Sequence, residues 1–432
     1  MLIGIDAHNL EGQRTGVGRY LFNLLKEWSK AEFLQFFHTT EYGGIVKKEK
    51  DSIKFILYFK DEIPADLQPT PTISPSLRER ESQRGCLNSD LFETRVLKTR
   101  GTAKFTHWDL PRLAAKDKVD ILFCPAYVSP IIYGGKIALT LHDISYEARP
   151  QEFNWPSLAD KILLKWVSRQ SAKKAGVIFT PSEFSRQEVI KYYGVPAERV
   201  FVTPLGVDSS LSDSPFDGAI NVVNNKKFDS PAYGTNTIEA VKKKYGLSGK
   251  FIFYVGSIFS RRHLPEIISA FERLTKESNY QLLLGGEDYT DGKSVDELVK
   301  KINEKLGREA VLRVDFIDDN ELKLLYSACA FFIWLSDYEG FGLPMLEAMS
   351  LGAPVITTDG SSLSEVAGEA ALLISDNADV EEIFRAMHKL ARDSALREEL
   401  IARGKEQAAK FSWQKCAERT LWVVKDTITK KQ

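Results

Sequence analysis

Short apolar runs alternate with amphipathic stretches along most of this chain. Leu2–Ala7 reads as a strand and Val17–Ser29 as the helix that follows it. The runs Asp120–Pro125, Lys136–His142, Gly176–Pro181 and Val200–Pro204 predict further strands, with helical spacing at about 157–174 and 183–193. The same rhythm returns later. Phe251–Val255 is a strand, Leu264–Lys276 a helix and Gln281–Leu284 a strand. Phe331–Leu335, Pro354–Thr358 and Ala371–Ile374 continue the series, and Ala378–Lys430 is helical by pattern. The strand runs are continuous rather than alternating, as expected for parallel strands covered by helices on both faces. The pattern therefore predicts an α/β protein.

Two segments break the rhythm. Residues 209–237 are rich in Ser, Asp, Asn, Pro and Gly and read as a linker or surface insertion. Between Asp61 and Glu93 lie Pro64, Pro69, Pro71 and Pro75 followed by mixed charge, which predicts an irregular excursion. The first break divides the chain into doubly wound domains at 1–207 and 208–432.

Composition narrows the classes. At 43% hydrophobic and 27% charged, the chain has enough apolar material to bury and is no disordered polymer. Its net charge of −1 disfavours a nucleic-acid partner. Cys86, Cys124, Cys329 and Cys416 lie far apart, so neither a disulfide framework nor a zinc site is expected. The segment Met1–Asp6 lacks the basic start of a signal peptide, and no apolar run is long enough to span a bilayer. These features predict a cytoplasmic protein. The charge is unevenly divided: residues 1–207 hold 29 basic and 24 acidic side chains, residues 208–432 hold 29 and 35.

Four motifs can carry chemistry. Thr15-Gly16-Val17-Gly18-Arg19-Tyr20 joins the first strand to its helix, and glycines there let a ligand approach the backbone. It is not the dinucleotide fingerprint, because Leu21 stands where a third glycine is needed. Gly256-Ser257 ends a strand just before Arg261, Arg262 and His263, and paired guanidiniums suit a diphosphate. A plain basic helix start is the alternative, which the helix dipole opposes. Glu339-Gly340-Phe341-Gly342-Leu343-Pro344 leads into a helix that carries Glu347. Amides at Phe341–Leu343 can face an anion, and the two carboxylates can accept hydrogen bonds from sugar and ribose hydroxyls. A capped helix with a surface glutamate is the alternative there. His142-Asp143 ends a strand, where both a cleft histidine and a structural one are found. Asp6 and His8, at the end of the first strand, pose the same choice.

In order and spacing these motifs resemble the retaining glycosyltransferases of family 4, over residues 1 to about 425 outside the two irregular segments. Glu339 and Glu347 match the family's pair of glutamates separated by seven residues. Residues 15–20 resemble the amino-terminal loop of its mannosyltransferase-like members, and Pro204–Asp208 the interdomain segment. The resemblance implies a GT-B fold, two doubly wound Rossmann-like domains facing a central cleft. It implies that the second domain holds a nucleotide-diphosphate sugar and the first holds a glycan or lipid-linked acceptor. Arg261 and Arg262 would grip the diphosphate beside Gly256 and Ser257. Glu347 would hold the ribose, and Glu339 would face the transferred sugar near the Phe341, Gly342 and Leu343 amides. His142 would approach that sugar, and Gly16 and Gly18 would let the first loop touch the phosphates. The family commonly has Lys where Arg262 stands and Asn where His263 stands. Its last helix, about 412–429 here, would pack back on the first domain. The loop resembles that of members using GDP-mannose to make polysaccharide or lipopolysaccharide. With no Asp-x-Asp in the chain, neither a metal nor a cofactor is expected.

Two other classes compete: a sugar-nucleotide epimerase of the same shape, told apart by its products, and a non-catalytic nucleotide-sugar binder. A membrane partner is a further expectation. The 155–174 stretch carries Lys161, Lys165, Arg169, Lys173 and Lys174, with Leu158, Ile162 and Trp166 at helical spacing. Such a helix lies on an anionic bilayer at the inner face of the cell membrane, or packs its apolar stripe into the core.

Overall fold

In a computed structural model, the described residues are 1–12, 14, 16–30, 53–68, 87, 90–152, 157–207 and 237–430. The predicted 209–237 linker, apart from its last residue, most of the 61–93 excursion, Thr15 and Trp155 lie outside them. The chain forms two compact units: residues 1–206 with 413–432, and residues 207–412.

The first unit is built on a parallel sheet of seven strands. These are β1 (Leu2–Asp6), β2 (Lys54–Phe59), β3 (Phe92–Val96), β4 (Ile121–Cys124), β5 (Ile137–Thr140), β6 (Val177–Thr180) and β7 (Val200–Val202). Their order is β3-β2-β1-β4-β5-β6-β7. Strands β1, β4, β5 and β6 are buried almost throughout, because helices cover both faces. The helix Gly16–Trp28 buries Leu21, Leu24, Leu25 and Trp28, and the Trp28 ring stacks on Phe55 at 5.3 Å. The helix Trp413–Thr429 packs in this unit. Its Ala417 carbonyl accepts from Trp28 Nε1 at 3.1 Å, and Lys136 Nζ donates to the carbonyls of Thr427 and Ile428 at its far end.

The second unit has six parallel strands: β8 (Phe251–Val255), β9 (Gln281–Gly285), β10 (Val311–Val314), β11 (Phe331–Trp334), β12 (Val355–Thr358) and β13 (Leu372–Ile374). Their order is β10-β9-β8-β11-β12-β13. In each sheet the strand order reverses once, between β1 and β4 and between β8 and β11. Ligands of doubly wound sheets bind at the carboxyl ends of such strands.

Three strands are additions to the predicted set. β3 and β10 each lie at one edge of their sheets, and the charges within Phe92-Glu-Thr-Arg-Val and Val311-Leu-Arg-Val hide them from a search for continuous apolar runs. β2 is a continuous run, Lys54-Phe-Ile-Leu-Tyr-Phe, directly ahead of the proline-rich segment.

Candidate active site

The second unit gathers its charged residues at the reversal of strand order. Arg261 and Arg262 follow β8, and Glu339 follows β11, its neighbour. β8 ends at Gly256, whose φ of 144° favours glycine and where a Cβ would stand 2.6 Å from the Trp334 ring. The Trp334 ring takes up that space, and Ser260–Arg262 form a short helical turn after the strand. The Arg262 guanidinium lies over the Trp334 ring at 4.0 Å, and Arg261 lies over Phe259 at 4.6 Å.

Arg262 is 6% exposed, with Nη1 at 2.5 Å from Glu339 Oε1. Arg261 Nε stands 4.0 Å from the same oxygen. These contacts are ion pairs without hydrogen-bond alignment. Arg261 Nε and Arg262 Nε and Nη1 are buried with no hydrogen-bond partner among the described residues. Buried donors are nearly always satisfied, so two guanidiniums with spare donors beside a single carboxylate are suited to an added anion.

Glu339 is itself held in place. Ser336 Oγ donates to its Oε1 at 3.1 Å, its amide donates to Ser361 Oγ at 3.1 Å, and Ser362 Oγ donates to its carbonyl at 2.9 Å. His263 Nε2 meets Asp337 Oδ1 at 2.5 Å, and the Asp337 amide donates to the Arg261 carbonyl at 3.2 Å. The arginine turn and the glutamate loop are thus tied together by side chain and backbone. Gly342, at φ 95°, opens the helix Leu343–Ser350, and a Cβ there would meet Leu363. Phe341 is buried with its ring edge against Phe411. Glu347 is buried one turn into the helix and accepts from Tyr326 Oη at 3.4 Å. Ser257 is exposed at the end of β8.

The first unit assembles a second group of site residues. His142 follows β5, with its ring edge-on to Tyr20 at 4.7 Å. Its Nε2 lies 3.1 Å from the Pro125 carbonyl, which can only accept, so this partner assigns the proton to Nε2 and leaves Nδ1 as an acceptor. Burial pushes its pKa down to about 4, against smaller opposing effects of the Pro125 bond and Asp143. The ring is therefore neutral near pH 7. It can accept a hydrogen bond from a sugar hydroxyl and has no proton to give up there. Tyr20 Oη pairs with Thr140 Oγ1 at 3.2 Å, which ties the glycine-loop helix to the strand carrying His142.

The two loop glycines differ. A Cβ on Gly18 would collide with the Asn9 carbonyl oxygen, so packing alone requires glycine there. Gly16 faces open space, and nothing in the fold demands glycine at that position.

Sequence reasoning identified the arginines and glutamates but not the groups that hold them: Trp334 under Arg262, Tyr326 at Glu347, and Ser361 with Ser362 around Glu339. A Gly-Ser-Ser turn directly after the strand Val355–Thr358 was the available signal for the serines.

Comparison with known proteins identifies the family and the fold. Residues 14–211 match the family model described as Glycosyltransferase Family 4, and residues 237–407 match that of Glycosyl transferases group 1. The O-antigen chain mannosyltransferase B of Escherichia coli is 32% identical over 289 residues, covering 65% of this chain and 68% of that protein. The serotype-specific mannosyltransferase WbdA of Escherichia coli is 32% identical over 245 residues, 56% of this chain but only 28% of its own length. Among solved structures, Anabaena HepE in complex with UDP and glucose superposes with a TM-score of 0.64 at 14% identity, covering 98% of this chain and 99% of that one. WaaG, a glycosyltransferase involved in lipopolysaccharide biosynthesis, gives a TM-score of 0.62 at 15% identity with full coverage of both chains.

Proposed function

The chain belongs to the glycosyltransferases of family 4, and from that premise we propose that it moves a mannosyl group from a nucleotide-diphosphate mannose to a glycan or lipid-linked acceptor, with retention of configuration, in cell-surface polysaccharide assembly. The observation that carries the donor reading is the pair of guanidiniums at the carboxyl end of β8, Arg262 buried and the Nε of each without a hydrogen-bond partner among the described residues. The mannosyl and polysaccharide parts rest on the two mannosyltransferases at 32% identity.

In this reading Arg261 and Arg262 hold the diphosphate and stabilise the charge that grows on it as the glycosidic bond lengthens. The Phe341, Gly342 and Leu343 amides, with Glu339, orient the sugar. Glu347 accepts from the ribose hydroxyls. Neutral His142 accepts from a sugar hydroxyl through Nδ1. Gly16 lets the first loop approach the phosphates. The acceptor oxygen attacks the face the diphosphate leaves, and the departing phosphate oxygen takes the acceptor proton. No protein nucleophile is then required, and the two arginines do the work a divalent cation does elsewhere.

A bilayer-bound acceptor gains support from the helix Leu158–Lys174. Ile162, Leu163 and Trp166 are 68%, 58% and 54% exposed, and the core face is made by Val167, Ser168, Ser171 and Ala172. Lys161, Lys173 and Lys174 form no ion pair among the described residues, and exposed apolar groups among lysines suit an anionic lipid surface. Among the described residues no helix is long and apolar enough to cross a membrane.

A donor panel tests the reading. GDP-mannose, UDP-glucose and UDP-N-acetylglucosamine are compared by thermal shift and by hydrolysis or transfer, with and without EDTA. The expected result is stabilisation and turnover with GDP-mannose, unchanged by EDTA. Turnover confined to another donor overturns the mannosyl assignment, and epimerised free donor without a glycoside overturns transfer.

A further inference from the structure

The carboxyl edge of the first sheet holds a charged pair that this reaction scheme leaves unused. Asp6 ends β1, at the reversal of strand order between β1 and β4, and is 2% exposed. Two residues later, His8 Nδ1 lies 2.6 Å from Asp6 Oδ1, and the His8 amide donates to the same oxygen at 3.3 Å. The imidazole stands edge-on to Phe105 at 5.4 Å, so its plane is set by one hydrogen bond and one ring contact. Its other nitrogen, Nε2, has no hydrogen-bond partner among the described residues, and the side chain is 21% exposed.

The charge and surroundings of His8 bear on what this nitrogen can bind. Burying a carboxylate is costly unless it is paired and hydrogen-bonded, and His8 is the ion-pair partner of Asp6 among the described residues. The charged groups facing His8 are Asp6, Glu11 and Lys60. Burial opposes protonation, but Asp6 and Glu11 outweigh burial and Lys60 and raise the pKa above the ordinary histidine value. The contact between Gly18 and the Asn9 carbonyl sets the amino end of the helix Gly16–Trp28 beside the His8–Leu10 turn, and helix amides there favour negative charge. The unit as a whole carries 34 basic and 26 acidic side chains.

We propose that Asp6 and His8 form an anion subsite at the edge of the first sheet, in which His8 Nε2–H donates to a phosphate oxygen of a bound substrate. Asp6 sets the ring and its charge, and His8 makes the contact. Either the acceptor's phosphate or the donor's diphosphate can supply that oxygen. Only this choice of sources rests on the proposed reaction.

The test uses the full chain with isotope-labelled histidine, the His8 resonance being assigned by its loss in His8→Gln. Inorganic pyrophosphate is the probe. The expected result is a saturable shift of the His8 ring signal, kept in Arg262→Ala and lost in Asp6→Asn. A His8 signal that does not move overturns the subsite.

Kinetics then identify the source. His8→Gln raises the acceptor KM about tenfold if the acceptor's phosphate is bound, or the donor KM if the diphosphate is bound, and His8→Arg restores it. In the wild type the affected kcat/KM falls as pH rises through the His8 pKa, and it stays flat in His8→Arg. Unchanged KM values for both substrates, in a variant that keeps its melting temperature, overturn the proposal. Failure of every donor to support transfer overturns the proposed reaction and leaves the pyrophosphate titration to decide the subsite.

Discussion

Arg262 concentrates the argument of the second unit in one side chain. It is buried beside Glu339 and over Trp334, and its Nε has no hydrogen-bond partner among the described residues. Arg262→Ala is expected to lower turnover about a hundredfold or more, since preorganised charge on a leaving diphosphate is worth several kcal/mol. Steady-state rates at saturating donor check this, and near-normal turnover overturns the role. His142 predicts a different signature. Its folded pKa of about 4 lies below the ordinary 6.5, so between those values the unfolded chain binds a proton that the folded chain excludes. Stability is complete above pH 6.5 and falls as pH drops toward 4, by about 3 kcal/mol in total from this residue. Urea unfolding of wild type and His142→Gln at pH 7 and pH 4.5 measures it, and the variant is expected to lose that part of the pH dependence.

At the level of elements, the loops after β8 and β11 act together because Asp337 bonds both the His263 ring and the Arg261 carbonyl. The start of the helix Leu343–Ser350 depends on Gly342, where φ is 95° and a Cβ would press on Leu363. Gly342→Ala is expected to destabilise the second unit by about 1–3 kcal/mol and to lower turnover by misaiming the Phe341–Leu343 amides. Calorimetry and rates together separate the two effects. The helix Leu158–Lys174 carries an opposite lesson. Four-residue spacing of Leu158, Ile162 and Trp166 resembles a core stripe, yet Ile162 and Trp166 are exposed. The buried face uses small residues: Ser168 Oγ donates to the Tyr127 carbonyl and Ser171 Oγ to that of Ser129, which brings the helix close to the chain after β4. Ile162→Glu with Trp166→Glu is expected to abolish pelleting with anionic liposomes at low salt while leaving the melting temperature unchanged. Equal pelleting of variant and wild type overturns the membrane contact.

On the scale of the whole molecule, the chain leaves its first unit at 206 and returns to it at 413. The returning helix buries Trp413, Leu421, Val423 and Val424, and it receives the Trp28 indole hydrogen bond. Each such side chain contributes about 1.5–3 kcal/mol. A chain ending at Ser412 is therefore expected to lower or erase the calorimetric transition of the first unit and to keep that of the second. Equal loss in both overturns the assignment of this helix to one unit. Counting the returning segment sharpens the division of charge: 34 basic to 26 acidic in the first unit, 24 to 33 in the second. An acidic unit can attract an anion only through local donors, and Arg261, Arg262 and the Phe341–Leu343 amides are the ones proposed for it.

The chain's own pattern was enough for the two α/β units, most of their strands and the positions of Arg261, Arg262, Glu339 and Glu347. Continuous apolar runs report burial on two faces, and the special residues follow strand ends, where parallel sheets place their ligands. Edge strands β3 and β10 stayed hidden, because an edge position needs less apolar surface and tolerates charge. The spare donors of the arginines, the neutral state of His142 and the set of the His8 ring came from neither spacing nor composition. Each depends on surroundings that the fold assembles: Glu339 beside Arg262, burial around His142, Phe105 against His8. Protonation and hydrogen-bond capacity are set by what surrounds a group in space, and those neighbours exist only once the strands have paired.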